Sequence, residues 1–167
     1  MRKEFKYRRA SLTDQQSLRL VGMAAYGTYQ KVLAEEGWER LKRNIEDVSI
    51  YTDLLAISTC IVCEHDDQIV AMAFYIPHGN PTSVYPADWC YIRMVGVHPD
   101  YSGHGIGKEL MRRCVERARD TNEKIIGLHT SEFMDAARHI YESMGFVRAK
   151  ELEPRFGKRY WLYRMEV

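Results

Sequence analysis

No stretch of about 18 consecutive apolar residues exists in this chain, so no segment is suited to cross a bilayer as a helix. The opening Met1-Arg2-Lys3-Glu4-Phe5-Lys6-Tyr7-Arg8-Arg9 lacks the apolar centre of a secretion signal. Charge of one sign is missing too. The 24 Lys and Arg against 23 Asp and Glu leave a formal net charge of +1, which gives no electrostatic case for nucleic acid or an anionic membrane. Cysteine is scarce, and Cys60, Cys63, Cys90 and Cys114 are too few and too scattered for a disulfide framework. Cys60 and Cys63 form a C-x-x-C, but in a strand-like run their side chains point to opposite faces, unlike a metal or redox turn. They read as core thiols, and no metal is expected. No repeat, low-complexity tract or interdomain linker appears. These absences predict one cytoplasmic domain over residues 1–167, with no membrane or nucleic-acid partner.

What the sequence does contain is apolar patterning. With 167 residues, 46% of them apolar, the chain can bury one core. Phe5 to Ala10 predicts a strand, and Ser11 with Asp14 has the spacing of a capping box that starts a helix carrying Leu18, Val21 and Ala25. A second helical segment is expected over Tyr29 to Ile45, with a break near Gly37. Ile57 to Cys63 and Ile69 to Ile76 read as strands joined through His65-Asp66-Asp67-Gln68, and His78 to Asp88 reads as a loop. Trp89 to Val97 follows as a central strand covered on both faces. Gly105 to Asp120 is an amphipathic helix and Ile125 to His129 a strand. Thr130 or Ser131 can cap a last helix, which Gly145 ends in a left-handed turn. Phe146 to Ala149 and Tyr160 to Met165 close the chain as strands around a loop holding Pro154 and Gly157. The order β-α-α-β-β-β-α-β-α-β-β predicts a mixed α/β sheet with helices on both faces.

One stretch carries chemistry. Val95-Gly96-Val97-His98-Pro99 leads into Asp100-Tyr101-Ser102 and then Gly103-His104-Gly105-Ile106-Gly107-Lys108, a glycine-rich junction between strand and helix. The first turn of a helix has backbone N–H groups without partners and partial positive charge, and glycines let a phosphate approach that backbone closely. The junction therefore predicts a bound pyrophosphate. Two common phosphate motifs do not fit. G-x-G-x-x-G fails at Lys108 or Leu110, and the P-loop pattern fails at Ser102 and Glu109.

The segment from Val95 to Lys108 resembles motif A of the GCN5-related N-acetyltransferases (GNAT), whose [QR]-x-x-G-x-[GA] signature maps onto Ser102 to Gly107 with serine in the first position. Ala136-Ala137-Arg138-His139-Ile140-Tyr141, ending in Gly145-Phe146, resembles motif B of the same family. Residues before Tyr51 carry no such signature. The resemblance implies the family fold: a mostly antiparallel twisted sheet of about seven strands, splayed between the fourth and fifth, with helices on both faces. It implies acetyl-CoA as cosubstrate, without a metal, and transfer of the acetyl group to a primary amine of a small molecule or peptide in a ternary complex. Main-chain groups of Val95, Gly96 and Val97 would meet the pantetheine arm. Gly103, His104, Gly105, Ile106, Gly107 and Lys108 would hold the pyrophosphate, with Met134 and Ala137 also at the cofactor. Tyr141 would be the general acid. Tyr91 stands where many relatives carry a glutamate base and has too high an ordinary pKa to replace it, so a water relay is expected; the substitution also motivates an alternative, a catalytically silent CoA-binding regulatory module.

Other residues read more simply. Asp88 is expected to be a solvated loop carboxylate, His129 a structural strand residue and His139 a solvated one. Cys90 lies near the presumed cofactor groove, but no cysteine has a neighbourhood that argues for an acyl-enzyme. Tyr26, Tyr29 and Trp38, with Glu35 or Glu36 attracting a cationic amine, are candidates for the acceptor pocket; the plainer reading is a helix pair with its aromatics packed and its acids in water. A homodimer is common in the family, and Tyr160-Trp161-Leu162-Tyr163 would supply its interface or pack in their own sheet.

Overall fold

The computed structural model describes residues 2–167 and contains seven strands in one sheet, ordered β1-β2-β3-β4-β5-β7-β6. The strands are β1 (Lys6–Arg9), β2 (Thr59–His65), β3 (Gln68–Ile76), β4 (Cys90–Val97), β5 (Ile125–Ser131), β6 (Val147–Arg155) and β7 (Lys158–Glu166). All neighbours pair antiparallel except β4 with β5, which run parallel. Five α-helices cover this sheet: α1 (Gln15–Gly27), α2 (Glu35–Glu46), α3 (Val48–Ile57), α4 (Ile106–Asp120) and α5 (Asp135–Ser143).

Alternation along the strands divides the core in two. Cys63, Ala71, Ile92 and Tyr163 point to the face covered by α4 and α5, while Cys60, Met72, Phe74 and Tyr91 point to the face covered by α1 and α3. The C-x-x-C pair is thus split between the two faces, and all four cysteines are free and buried. A third cluster, Leu33, Trp38, Leu41 and Ile45, packs inside α2 and the turn before it. Among the described residues, no helix is long and apolar enough to cross a membrane.

The expected capping box is present, with the Ser11 N–H donating to the Asp14 carboxylate at 2.8 Å ahead of α1. Gly145 ends α5 at φ +104°, with the Phe146 N–H reaching back to the Tyr141 carbonyl at 3.1 Å. One helix appears where no element was assigned, and two local expectations are corrected. Residues Val48–Ile57 form α3, capped by the Asp47 carboxylate accepting the Ser49 N–H at 3.0 Å, so Ile57 ends a helix and the strand expected from it starts at Thr59. Neither Thr130 nor Ser131 caps α5: both belong to β5, and the Ser131 hydroxyl donates to the Arg159 carbonyl at 2.6 Å. Phe146 to Met165 is one long hairpin turning at Phe156-Gly157, both at positive φ (54° and 73°), the signature of a two-residue hairpin turn. Pro154 is tolerated in β6 because that strand lies at the sheet edge. Tyr160 to Tyr163 are buried in β7 between β5 and β6, so they pack within their own sheet.

Gly37 has a different purpose from the expected break. α2 runs through it, and the preceding irregular segment is Val32 to Ala34. A Cβ at Gly37 would stand 2.7 Å from the Phe156 carbonyl oxygen, so the glycine lets the β6–β7 hairpin tip rest on α2. Helix propensity alone makes Gly37→Ala stabilising by about 1 kcal/mol. The backbone collision reverses that sign, and urea unfolding should show a net loss of about 1–2 kcal/mol. A variant as stable as the parent, or more stable, would contradict this packing.

Candidate active site

The parallel strands β4 and β5 pair at only two positions, Cys90 with Ile126 and Tyr91 with Gly127. Beyond them the strands separate. On its other side β4 carries a bulge: Met72 faces Gly96 and Phe74 faces Arg93, so Met94 and Val95 together oppose the single residue Ala73. Met94 takes φ +53° to accommodate the extra residue. A bulge adds twist and bends its strand, which fits the departure of β4 from β5. The joint is packed from one face by aromatics, since a Cβ at Gly127 would meet Trp89 at 3.0 Å and Tyr85 at 3.2 Å.

Two cavities occupy the opening. The larger, of about 550 Å³, runs past Val95, Gly96 and Val97 to the glycine loop and the start of α4. Gly103 (φ +80°) and Gly105 (φ +75°) are left-handed, and no atom lies within 4 Å of where a Cβ would stand on either. Gly105 immediately precedes the 15-residue α4, so first-turn N–H groups and the positive end of the helix dipole border the same space. The polar side chains of the loop turn back on it. The Ser102 hydroxyl donates to the Pro99 carbonyl at 2.9 Å, and His104 Nδ1 lies 3.0 Å from the Tyr101 carbonyl with its ring against Phe5. That leaves the backbone of the loop to meet a ligand. Lys108 and Ala137 also line this cavity, whereas His104 stands outside it. A cradle of glycine backbone at a helix start fits a pyrophosphate.

The second cavity, of about 290 Å³, lies between the hairpin tip, α2 and the far side of the joint. Tyr26, Tyr29, Val95, Ala137 and Tyr141 border both cavities. Tyr141 is therefore at the place where their contents would meet. It is 6% exposed, its hydroxyl has no hydrogen bond to another described residue, and burial raises its pKa well above the ordinary phenol value. The group is a protonated donor at neutral pH. Met134 lines the second cavity instead of the first.

Several candidates lie elsewhere. Tyr91 stacks on Tyr85 with ring centroids 4.0 Å apart and donates to the Asn80 carbonyl at 2.9 Å, which gives it a structural task in holding the loop after β3. Cys90 lines neither cavity; its thiol contacts the Ile125 carbonyl at 3.4 Å, and burial pushes its pKa up to about 12. Trp38 is buried in the α2 cluster, Glu35 and Glu36 are exposed on the first turn of α2, and Asp88 and His139 face solvent. His129, which sequence reasoning treated as structural, does have a fixed partner, Tyr85 Oη at 2.6 Å from Nδ1, and also forms part of the second cavity's wall. Arg93 and Arg155 join it there. Sequence reasoning missed both; the one available signal was Arg93, a charge within an otherwise apolar strand.

Residues 29–146 match the model of the Acetyltransferase (GNAT) family. The chain belongs to this family. It is 33% identical over 70 residues to the L-amino acid N-acyltransferase MnaT of Escherichia coli, covering 41% of this chain and 40% of that protein. The chain spans about half the length, or less, of the curated relatives it matches. The Thermoplasma acidophilum PaiA N-acetyltransferase, solved in complex with coenzyme A, superposes with a TM-score of 0.79 at 14% identity, covering 98% of this chain and 99% of that one. YncA of Salmonella typhimurium, solved with acetyl-CoA, gives 0.71 at 16% identity, with 98% and 94% coverage. At these identities the structural neighbours establish the GNAT fold.

Burial first, then the charges of Arg93 and Arg155, lowers the His129 pKa from 6.5 to about 3. The unfolded chain therefore binds a proton at this residue between those values that the fold refuses, so stability falls as pH drops from about 6.5 towards about 3. His129→Asn removes this contribution. Urea unfolding at stepped pH should show a smaller loss over that window in the variant; equal losses would contradict a neutral, buried imidazole.

Proposed function

We propose that this chain transfers the acetyl group of acetyl-CoA directly to a primary amine while both are bound. The observation that carries the reading is the meeting of the two cavities at Tyr141. Main-chain groups of Val95 and Val97 would receive the pantetheine arm, and N–H groups from Gly103 to Lys108 the pyrophosphate. Charge-assisted hydrogen bonds contribute on the order of 1.5–3 kcal/mol each, so several on one pyrophosphate anchor a flexible molecule. Acetyl-CoA supplies an activated acyl group and a thiol leaving group.

The chain's own residues supply the rest. Tyr141 Oη holds a proton at neutral pH and presents it at the junction, where it stabilises a departing thiolate by hydrogen bonding. No Asp or Glu lines the acceptor cavity among the described residues, and we assign removal of the amine's proton to water. Direct transfer is supported by the cysteines. All four are buried, and burial raises the pKa of the thiols of Cys90 and Cys114 to about 12, which leaves them poor nucleophiles. The likeness to MnaT, named an L-amino acid N-acyltransferase, supports an amine acceptor.

Tyr141→Phe should lower kcat by about 10²–10⁴ while leaving acetyl-CoA affinity nearly intact. An unchanged kcat removes Tyr141 as the acid. Gly105→Val places a branched side chain at a left-handed position inside the cradle and should abolish CoA binding in calorimetry. Retained affinity would refute the cradle. Tight CoA binding by the unmodified chain, with no thioester consumed against any amine, would support the silent binding module instead.

A further inference from the structure

Resting on the acetyl-transfer reading, we infer that the acceptor amine also carries a carboxylate, and that Arg93 and Arg155 clamp it in the second cavity. The two guanidinium groups come from different parts of the sheet. Arg93 lies on β4 just before the bulge, and Arg155 ends β6 beside the hairpin turn. Both line the cavity together with His129. Neither forms an ion pair or a side-chain hydrogen bond within the described residues, whereas Arg8, Arg112, Arg113, Arg138 and Arg159 each hold a carboxylate.

A half-buried arginine without a carboxylate gives up hydration with little return, and two around one space repel each other. Arg155 meets the face of the Tyr160 ring at 5.8 Å, a contact that leaves its planar fork of N–H donors free. That fork matches a carboxylate in a bidentate arrangement, which a lysine cannot reproduce. With no Asp or Glu in the lining among the described residues, no carboxylate there attracts the ammonium of a diamine or polyamine or repels an anion. His129, held neutral, adds a polar contact without adding charge. The volume of about 290 Å³ suits a group the size of a free amino acid. The acceptor class is therefore a small amino acid with a free carboxylate, its amine directed towards Tyr141.

The test compares amino acids with their carboxamides and with the corresponding decarboxylated amines. Thiol release from acetyl-CoA gives kcat/KM, and calorimetry on CoA-loaded protein gives acceptor affinity. The free acid should exceed its carboxamide roughly 10- to 100-fold in kcat/KM. Arg155→Gln and Arg93→Gln should collapse that ratio towards one, and Arg155→Lys should restore it only partly, each variant being checked for unaltered CoA affinity and thermal unfolding. Equal use of acid, carboxamide and decarboxylated amine, or a preference for diamines, overturns the clamp and leaves acetyl transfer standing. Binding that discriminates acid from carboxamide without any thioester consumption keeps the clamp and contradicts acetyl transfer. Absence of discrimination in both turnover and binding overturns the clamp.

Discussion

Parallel pairing between β4 and β5 lasts for two residue pairs and then stops, and the working part of the molecule depends on that early separation. A continuous sheet would satisfy the strands' backbone groups with one another and leave no opening. The bulge at Met94 and Val95 bends β4 away, while Gly127, packed beneath Trp89 and Tyr85, keeps the joint itself closed. The opening receives the start of α4 on one side and the β6–β7 hairpin tip on the other, so two cavities form with Tyr141 between them.

The two cavities present different chemistry. One presents backbone amides at a glycine-rich helix start, with the neighbouring serine and histidine side chains bound back onto the loop. The other presents side chains, two arginines with no ion pair among the described residues and a neutral imidazole, on a wall that includes the hairpin tip. Glycine is essential to both walls for opposite reasons. Gly103 and Gly105 keep space open for a ligand, whereas Gly37 lets a protein carbonyl approach α2.

Sequence periodicity carried the seven strands in their order along the chain and the helices that follow β4 and β5. Cys60 and Cys63 fell on opposite faces, and the capping residues around Ser11 and Gly145 announced their turns, because local chemistry decides those features. Features set by distant partners were hidden. The helix Val48–Ile57 buries Tyr51 and Leu54 against Met72 and Phe74 of the sheet, and Pro154 looked like a loop residue because nothing local reveals an edge strand. The acceptor side was less legible still. His129, Arg93 and Arg155 are separated along the chain and meet only when β4, β5 and the hairpin tip are assembled, while Trp38 is packed and Glu35 and Glu36 are exposed, as the plainer reading of that helix has it.

The central claim is that backbone groups at one splayed joint and one glycine-rich turn hold coenzyme A. Backbone amide resonances followed through a coenzyme A titration test it most directly. The account predicts the largest shifts at Gly103 to Lys108, with a second group at Val95 to Val97, saturating together. Shifts concentrated elsewhere, or none at saturating coenzyme A, would contradict it.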